Sequence, residues 1–386
     1  MNPSEDNSSA LKEIAKSFLK LGATAFGGPA AHIAMMEDEF VKKKNWLTHE
    51  HFLDLLGATN LIPGPNSTEM AIHIGYLKAK WKGLLTAGIC FIFPATFITL
   101  IFAALYKLYG AVPKIDPFMI GIRSSIIAVI IAAVYRLSKP VVKDKFKLSL
   151  FAAVFILYLA GVDAILLLIS AGVIGIIWRN KSLINNYFAS IAAPLLAFVQ
   201  PVHNIFSFNA GNVSLPGLFL FFLKIGCVLY GSGYVLVAYL QGGLVDTRHW
   251  ITQSQLIDAI AIGQFTPGPV LSTATFIGYI TGGLPGAALA TAGIFLPSFL
   301  LVYLIYPFIL RMRKSKIASG FLDGVIAASL GLMLSVSVIL GKATLHSATA
   351  WIIFLAAGVI LIIKNINSVW IVLGGAAAGW MLSFVM

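Results

Sequence analysis

Two Pro-Gly-Pro sequences interrupt apolar segments of the chain, and polar residues flank each of them. A glycine can end one helix and the proline after it can begin the next, so the first backbone amides of the new helix have no partner within it. Such amides bind anions, with help from nearby hydroxyl and amide side chains. The candidate ligands are Asn60, Pro63, Gly64, Pro65, Asn66, Ser67 and Thr68 at the first turn and Gln264, Pro267, Gly268, Pro269 and Ser272 at the second. A packing kink without a ligand is the alternative interpretation.

A glycine-rich element precedes each turn. The first, AFGGPAAH, contains Gly27 and Gly28, followed by a proline that can open a helix carrying His32. The second, YGSGY, keeps the glycines as Gly231 and Gly233 but has neither the proline nor the histidine. Because glycine has no side chain, a ligand can approach the backbone closely at these positions. We therefore expect both elements to contribute to the same anion site.

Lys20 and Lys224 occupy the same place ahead of the two glycine-rich elements. A lysine in an apolar segment is costly unless it faces a cavity or a counter-charge. Two helix N-termini together supply only about one positive charge, so a dianion needs a further cation. Both lysines are therefore predicted to bind the anion together with the turns. The alternative is that their long side chains reach a polar interface.

Five further ionisable residues within apolar segments are candidates for ion coupling or ion pairing: Asp54, Glu69, His73, Arg123 and Asp258. Glu69 and His73 are four residues apart, which places them on one face of a helix, as a relay or selectivity pair requires. For the two aspartates, helix capping or pairing with a lysine is favoured over proton relay. The sequence has no metal-ligand spacing, phosphate-binding loop or nucleophile motif, so we expect no metal, no cofactor and no enzyme.

The elements that position these residues are predicted to be membrane helices. Of the 386 residues, 59% are hydrophobic and only 11% are charged, a low share for a soluble domain. Uncharged stretches such as residues 83–106 are long enough to cross a bilayer. The net charge of +12 comes from lysines and arginines in short loops, a pattern typical of orientation signals and not of nucleic-acid binding. We predict an all-α polytopic membrane protein without a cleavable signal peptide.

The chain consists of two homologous halves. A shift of 204 residues aligns Asp54 with Asp258 and the first Pro-Gly-Pro with the second, and a shift of 203 aligns the residues beyond the turns. The predicted boundaries are residues 8–178 for the first half, 179–214 for a linker and 215–386 for the second half, with a short crossing near residues 191–202 of the linker.

The loop charges indicate that the two halves have opposite orientations in the membrane. The loop after the first turn contains Lys78, Lys80 and Lys82, whereas its counterpart, TGGLPG, has no charge. Since positive loops lie in the cytoplasm, equivalent loops lie on opposite sides, which predicts an inverted repeat. Lysines on both sides of the first Pro-Gly-Pro segment also predict that it is re-entrant. The charges at the N-terminus are mixed and leave its side undetermined.

This combination of motifs resembles one known family. Two halves, each with an FGGP or YGSG element, a tryptophan, an aspartate-containing helix, Pro-Gly-Pro and Ile-Gly-Tyr, are similar to the chromate ion transporter family in its long-chain, two-domain form. The resemblance implies a multi-pass carrier in the cell (inner) membrane that exports chromate, driven by the proton gradient as an antiporter. The chain departs from the family pattern at Asn60, where chromate exporters often have glutamine.

Three alternatives stay open at the level of sequence. A carrier of the same architecture could take sulfate or an organic anion, and an anion channel would share the fold but need a continuous pore. A membrane enzyme or scaffold is disfavoured because no catalytic set or soluble domain is present. The predicted partners are a small oxyanion and the lipid bilayer, without nucleic acid, and a homodimer is compatible with the sequence.

Overall fold

The computed structural model describes residues 3–26, 28–60, 62–109, 116–180, 213–230, 233–306, 315–364 and 366–384. Throughout these residues the chain forms helices and no strand, which confirms the predicted all-α class. The helices of the first half are α1 (Pro3–Thr24), α2 (Pro29–Glu37), α3 (His49–Thr59), α4 (Asn66–Tyr109), α5 (Asp116–Val142), α6 (Lys145–Leu159) and α7 (Ala164–Arg179). Those of the second half are α8 (Leu215–Val228), α9 (Leu236–Leu240), α10 (Gln253–Phe265), α11 (Thr273–Ile305), α12 (Lys316–Thr344), α13 (Ala348–Ile363) and α14 (Ser368–Leu382). The crossing predicted near residues 191–202 lies outside the described residues.

Four of the described helical segments are long and apolar enough to cross a membrane: residues 66–109, 116–139, 270–305 and 316–344. The apolar helices α7, α8, α13 and α14 are shorter, with 14 to 16 residues each. At 1.5 Å per residue they measure about 21 to 24 Å, less than the ~30 Å hydrocarbon core. The chain is a polytopic membrane protein in which long spans pack beside shorter, interrupted segments.

The helix α4 consists of two limbs that fold back on each other. Ala79 and Lys80 depart from helical backbone angles, and Lys80 has a φ of 50°. On either side of this break, Gly75 and Gly83 pack backbone against backbone, so a Cβ at either position would clash. Residues 66–78 therefore form a short limb antiparallel to the long one.

The second half repeats this reversal in α11. There the break lies at Gly282 and Gly283, and Gly278 packs against the backbone of Gly286. In each half, a short helix (α3 or α10), a Pro-Gly-Pro turn and a short limb form a hairpin that is too short to span. The prediction of broken helices is confirmed.

Helices of each half pack against helices of the other half. In the first half, Gly121 of α5 packs against the backbone of Gly375 in α14. In the equivalent contact, Gly324 of α12 packs against the backbone of Ala171 in α7. A contact that recurs with the roles of the two halves interchanged is the mark of a two-fold relation. The long spans of each half are thus covered by the short closing helices of the other.

Two contacts set the relative direction of the spans. Lys147 at the start of α6 binds Asp323 near the start of α12, at 2.7 Å, and farther along both helices Ser335 donates to the Phe155 carbonyl at 3.1 Å. The helices α6 and α12 therefore run parallel. The helix α6 follows α5 after a turn at residues 143–144.

The buried core lies where the halves meet. Phe222 and Phe276 belong to the largest cluster of buried apolar side chains, which includes residues from both halves. A second cluster, with Phe18, Phe40 and Phe91, fixes α1 against the long limb of α4. The Pro-Gly-Pro turns lie next to these packed regions, so their geometry is supported on several sides.

Candidate functional site

The first Pro-Gly-Pro turn is held by the opposite half. Gly64 has a φ of 141° and donates its N–H to the Leu229 carbonyl at 2.6 Å. That carbonyl lies at the end of α8, where the first helix of the second half breaks. The short limb of α4 then begins at Asn66, with Ser67 and Thr68 buried in its first turn. Asn66 also donates to the Asn60 side chain at 2.6 Å, across the mouth of the turn.

The second turn makes the reciprocal contact. Gly268 has a φ of 89° and donates its N–H to the Ala25 carbonyl at 2.9 Å. Ala25 follows α1 and corresponds to Leu229 under the 204-residue shift, as Gly64 corresponds to Gly268. Each turn therefore docks on the break in the first helix of the other half. The sequence predicted the helix breaks at both Pro-Gly-Pro turns, and in the structure each of these turns contacts the opposite half.

His32 supports this junction. It is 2% exposed, and its Nε2 lies 3.0 Å from the Ala25 carbonyl that also accepts from Gly268. Gly28, with a φ of 81°, precedes the helix that carries this histidine. Gly233 is buried beside the second turn, against Leu271 and Val270. Gly27 and Gly231 lie outside the described residues.

Unpartnered polar groups are concentrated at the first turn. A Cβ on Gly64 would clash with the Glu69 carboxyl and would lie 2.6 Å from Ser298 Oγ, so both groups pack directly over its α-carbon. Among the described residues, neither oxygen of Glu69 has a hydrogen-bond partner, and the same holds for the hydroxyls of Thr68 and Ser298. Buried polar groups in proteins are nearly always paired, so this cluster is suited to a ligand.

His73 continues the cluster by one helical turn. Its side chain, like that of Glu69, is 0% exposed, and neither ring nitrogen has a partner in the described part of the chain. Its ring centroid lies 5.9 Å from that of Tyr306, which directly follows the long limb of α11. Glu69 and His73 thus lie four residues apart on the same helix, as predicted, and both are fully buried, but no hydrogen bond joins them.

The equivalent face of the second half has a different chemistry. Phe276 replaces His73, and Ala95 is the neighbour of Gly268 where Ser298 is the neighbour of Gly64. Ser272 alone resembles the first half, with a fully buried hydroxyl that has no partner among the described residues. Gln264 is also buried, at the end of α10. The junction is symmetric in its backbone and asymmetric in its side chains.

Asp258 and Arg123 form an ion pair between the halves. The Arg123 guanidinium donates to both carboxylate oxygens of the fully buried Asp258 at 2.7 Å, and the Tyr106 hydroxyl donates to one of them at 2.8 Å. The partner is thus an arginine and not the lysine favoured by the sequence, and Asp258 caps no helix. Its counterpart Asp54 is half-buried, and the position equivalent to Arg123 is Ile326.

The structure does not bring Lys20 and Lys224 together at the turns. Lys20 is exposed on α1. Lys224 is half-buried and lines a cavity of about 540 Å³ whose other polar residues include Tyr158, Asp163 and Arg248. None of the Pro-Gly-Pro residues lines this cavity. The two lysines occupy equivalent positions in the repeat. The turn between α6 and α7 lines the cavity beside Lys224, whereas Lys20 is exposed.

Three residues of these sites were missed by sequence reasoning. Ser298 could have been found from its place directly after the repeated proline Pro297, inside an apolar span. Tyr106 and Arg248 carry no such signal, because what they contact comes from distant parts of the chain. Arg248 lies over the rings of Phe221 and Trp250, and its position is decided by tertiary packing.

Comparison with known proteins gives a consistent result. The family model described as "Chromate transporter" matches the chain twice, at residues 12–176 and 217–380. A chromate transport protein of Cupriavidus metallidurans is 30% identical over 96% of this chain and 92% of its own length. A probable chromate transport protein of Synechococcus elongatus is 29% identical, over 90% and 89%. An uncharacterised transporter of Methanocaldococcus jannaschii is 28% identical, over 98% and 95%. No solved structure matches the chain.

Proposed function

The chain belongs to the chromate transporter family, and from that premise we propose that it is a secondary carrier that exports chromate, or a related tetrahedral oxyanion, driven by the proton-motive force. Members of this family are transport proteins and not enzymes. The observation that carries the proposal is the reciprocal docking of the two turns, which places the starts of two helices and several unpartnered hydroxyls at one junction.

The proposed ligands are the first backbone amides of both short limbs and the side chains around them. At the first turn these are Asn60, Asn66, Ser67 and Thr68, and at the second Gln264 and Ser272. Free amides at helix starts favour an anion, and broken helices of membrane carriers use them in this way. Lys20 and Lys224 lie away from the junction, so we assign them the attraction of the anion toward the site and not its direct binding.

An inverted arrangement of the halves belongs to the same proposal. The parallel course of α6 and α12, the turn between α5 and α6, and the reciprocal contacts of the two Pro-Gly-Pro turns support a two-fold axis in the membrane plane. Alternating access would then consist of one set of packed helices moving relative to the other around the junction. The direction of export is supported by charge: a membrane potential that is negative inside pushes a dianion outward, by about 4.6 kcal/mol for two charges at 100 mV.

Counterflow in proteoliposomes tests the proposal. Vesicles with the purified protein and internal chromate should take up labelled chromate from outside, with a rate that saturates. Sulfate should compete if the site recognises a tetrahedral dianion, and a planar organic dianion should not. Uptake that responds only to the organic dianion would indicate a different substrate, and a conductance far above carrier turnover would indicate a channel.

A further inference from the structure

Glu69 and His73 are titratable groups beside the first turn, and both are completely buried without hydrogen-bond partners among the described residues. His32 is a further buried titratable group of the junction and lies at the second turn, with its Nε2 3.0 Å from the Ala25 carbonyl. Within the same residues, no lysine or arginine nitrogen lies within salt-bridge distance of the Glu69 carboxyl. The groups that face the pair from neighbouring elements are Tyr230, beyond the end of α8, and Tyr306 with Tyr76 around His73.

An ionised carboxylate is not stable in such a place. Removing a charge from water without a partner costs far more than the free energy of folding can offset, so a buried acid of this kind takes up a proton. Glu69 is therefore neutral in the observed arrangement. The proton it holds must be released when the junction opens to water, as a carrier must do on each side in turn.

The charges at the junction decide how this proton relates to the anion. Two helix starts contribute about one positive charge, whereas chromate carries two negative charges. Lys20 and Lys224 do not reach the turns, and an ionised Glu69 beside Gly64 would add repulsion. A proton bound by Glu69 removes a negative charge from the junction, so proton binding strengthens anion binding.

We infer that Glu69 is the proton-binding residue of the carrier, and that its proton and the oxyanion cross the membrane together in the same direction. This inference rests on the proposed function. The proton binds a carboxyl oxygen of Glu69 together with the anion on one side and both leave on the other side; the empty carrier then returns with Glu69 ionised in a hydrated junction, so one proton moves per anion. A dianion with one proton carries a net charge of −1, so the membrane potential, which is one component of the proton-motive force, drives export, while the pH component opposes it. Proton exchange, which the family resemblance implied, requires the opposite coupling.

His73 has a positioning role in the same inference. It lies one helical turn beyond Glu69, toward the reversal at Ala79 and Lys80, which the loop charges place at the cytoplasmic side. A proton that enters from that side reaches the imidazole before the carboxyl. The second half offers no equivalent route, because Phe276 occupies the position of His73. One proton site per transport cycle follows from this asymmetry.

The sign of proton movement is the decisive measurement. Proteoliposomes are loaded with chromate and a pH-sensitive dye, the membrane potential is clamped, and the pH is kept above the second pKa of chromate so that the ion itself carries no proton. As chromate leaves, the internal pH should rise, because protons leave with it. Internal acidification would mean exchange and would overturn the inference, as would chromate exit without a pH change.

Amino-acid substitutions test whether Glu69 is the residue that binds the proton. In Glu69→Gln, which mimics the protonated acid, the pH signal that accompanies chromate exit should disappear, and any remaining chromate counterflow should no longer depend on pH. Glu50→Gln, an exposed acid on the same hairpin, is the matched control and should keep the wild-type signal. His73→Phe should slow proton movement but leave the pH dependence of chromate affinity unchanged. A full pH signal in Glu69→Gln would contradict the assignment.

A measurement on the wild-type protein keeps the inference testable if Glu69→Gln does not fold. Chromate affinity in counterflow should weaken by up to about tenfold per pH unit once the site loses its proton. Affinity that is constant or rises with pH would overturn the inference. Wild-type protein without chromate counterflow at any pH would instead contradict the proposed function itself.

Discussion

The two Pro-Gly-Pro turns have the same backbone arrangement and different surroundings. Gly64 donates to Leu229 and Gly268 donates to the equivalent Ala25. Beside Gly64 lie a buried carboxyl and a hydroxyl, whereas Ala95 and backbone carbonyls lie beside Gly268. Duplication therefore preserved the shape of the junction, whereas among the described residues a buried carboxyl lies beside only the first of the two turns.

The ion pairs between the halves are also distributed unequally. The bases come from the first half and the acids from the second: Arg123 binds Asp258, and Lys147 and Arg179 both bind Asp323. The counterparts of the two acids are Asp54 and Ile120, and that of Arg123 is Ile326. A repeat with specialised halves can couple a single proton to an anion held by both halves. The following variants test how far the two halves differ.

The largest effect is expected from breaking the ion pair of Arg123 and Asp258, since Ile326 occupies the position equivalent to Arg123. Arg123→Ala leaves the fully buried Asp258 without its cation, which should destabilise the protein by about 3–5 kcal/mol. Thermal unfolding in detergent measures the loss. Replacing both residues by apolar ones of similar size, Arg123→Met with Asp258→Leu, should recover most of the stability. If Arg123→Ala alone unfolds like the wild type, the pair contributes nothing to holding the halves together.

A methyl group at either turn tests whether the shared backbone is needed on both sides. Gly64→Ala and Gly268→Ala each force a side chain into positive φ, at a cost of about 1–3 kcal/mol, and Gly64→Ala also displaces Glu69. We expect both to lose counterflow and Gly64→Ala to be the less stable of the two. Gly358→Ala, on α13 with open space around it, is the control. Full activity of either turn variant would show that its turn does not bind the anion.

The lysines sharpen the comparison at a smaller scale. Lys224→Ala removes a cation from a cavity that also contains Arg248 and should weaken chromate affinity about tenfold, corresponding to ~1.4 kcal/mol. Lys20→Ala, at the exposed equivalent position, should change affinity by less than about twofold. Equal effects of the two variants would restore the symmetric role predicted from the sequence. If neither variant changes chromate affinity, Lys224 has only a structural role.

Topology can be tested without an energetic effect. Trp81 and Leu284 are equivalent, exposed residues at the reversals of α4 and α11. In a background with Cys90→Ala and Cys227→Ala, a cysteine at position 81 should react with an impermeant reagent from the cytoplasm and one at position 284 from outside. Reaction of both from the same face would contradict the inverted arrangement.

Much of the architecture could be predicted from local patterns. Apolar stretches of sufficient length specify spans, and Pro-Gly-Pro specifies a helix break, because each depends only on neighbouring residues. The position of Glu69 and His73 on one helical face follows from helical spacing alone. The ion pair of Arg123 and Asp258 could not be predicted, since these residues are far apart in the chain and the position equivalent to Arg123 in the second half is Ile326.

By itself, the sequence determined the membrane class, the duplication, the positions of the breaks and the family, because composition, periodicity and motifs are properties of contiguous residues. Only the tertiary structure decided that each turn docks on the other half, that Lys20 is exposed while Lys224 faces a cavity, and that Glu69 is buried beside Ser298. These facts depend on how helices from distant segments of the chain pack against one another. Burial, which sets the cost of a charge, arises only when those helices are packed.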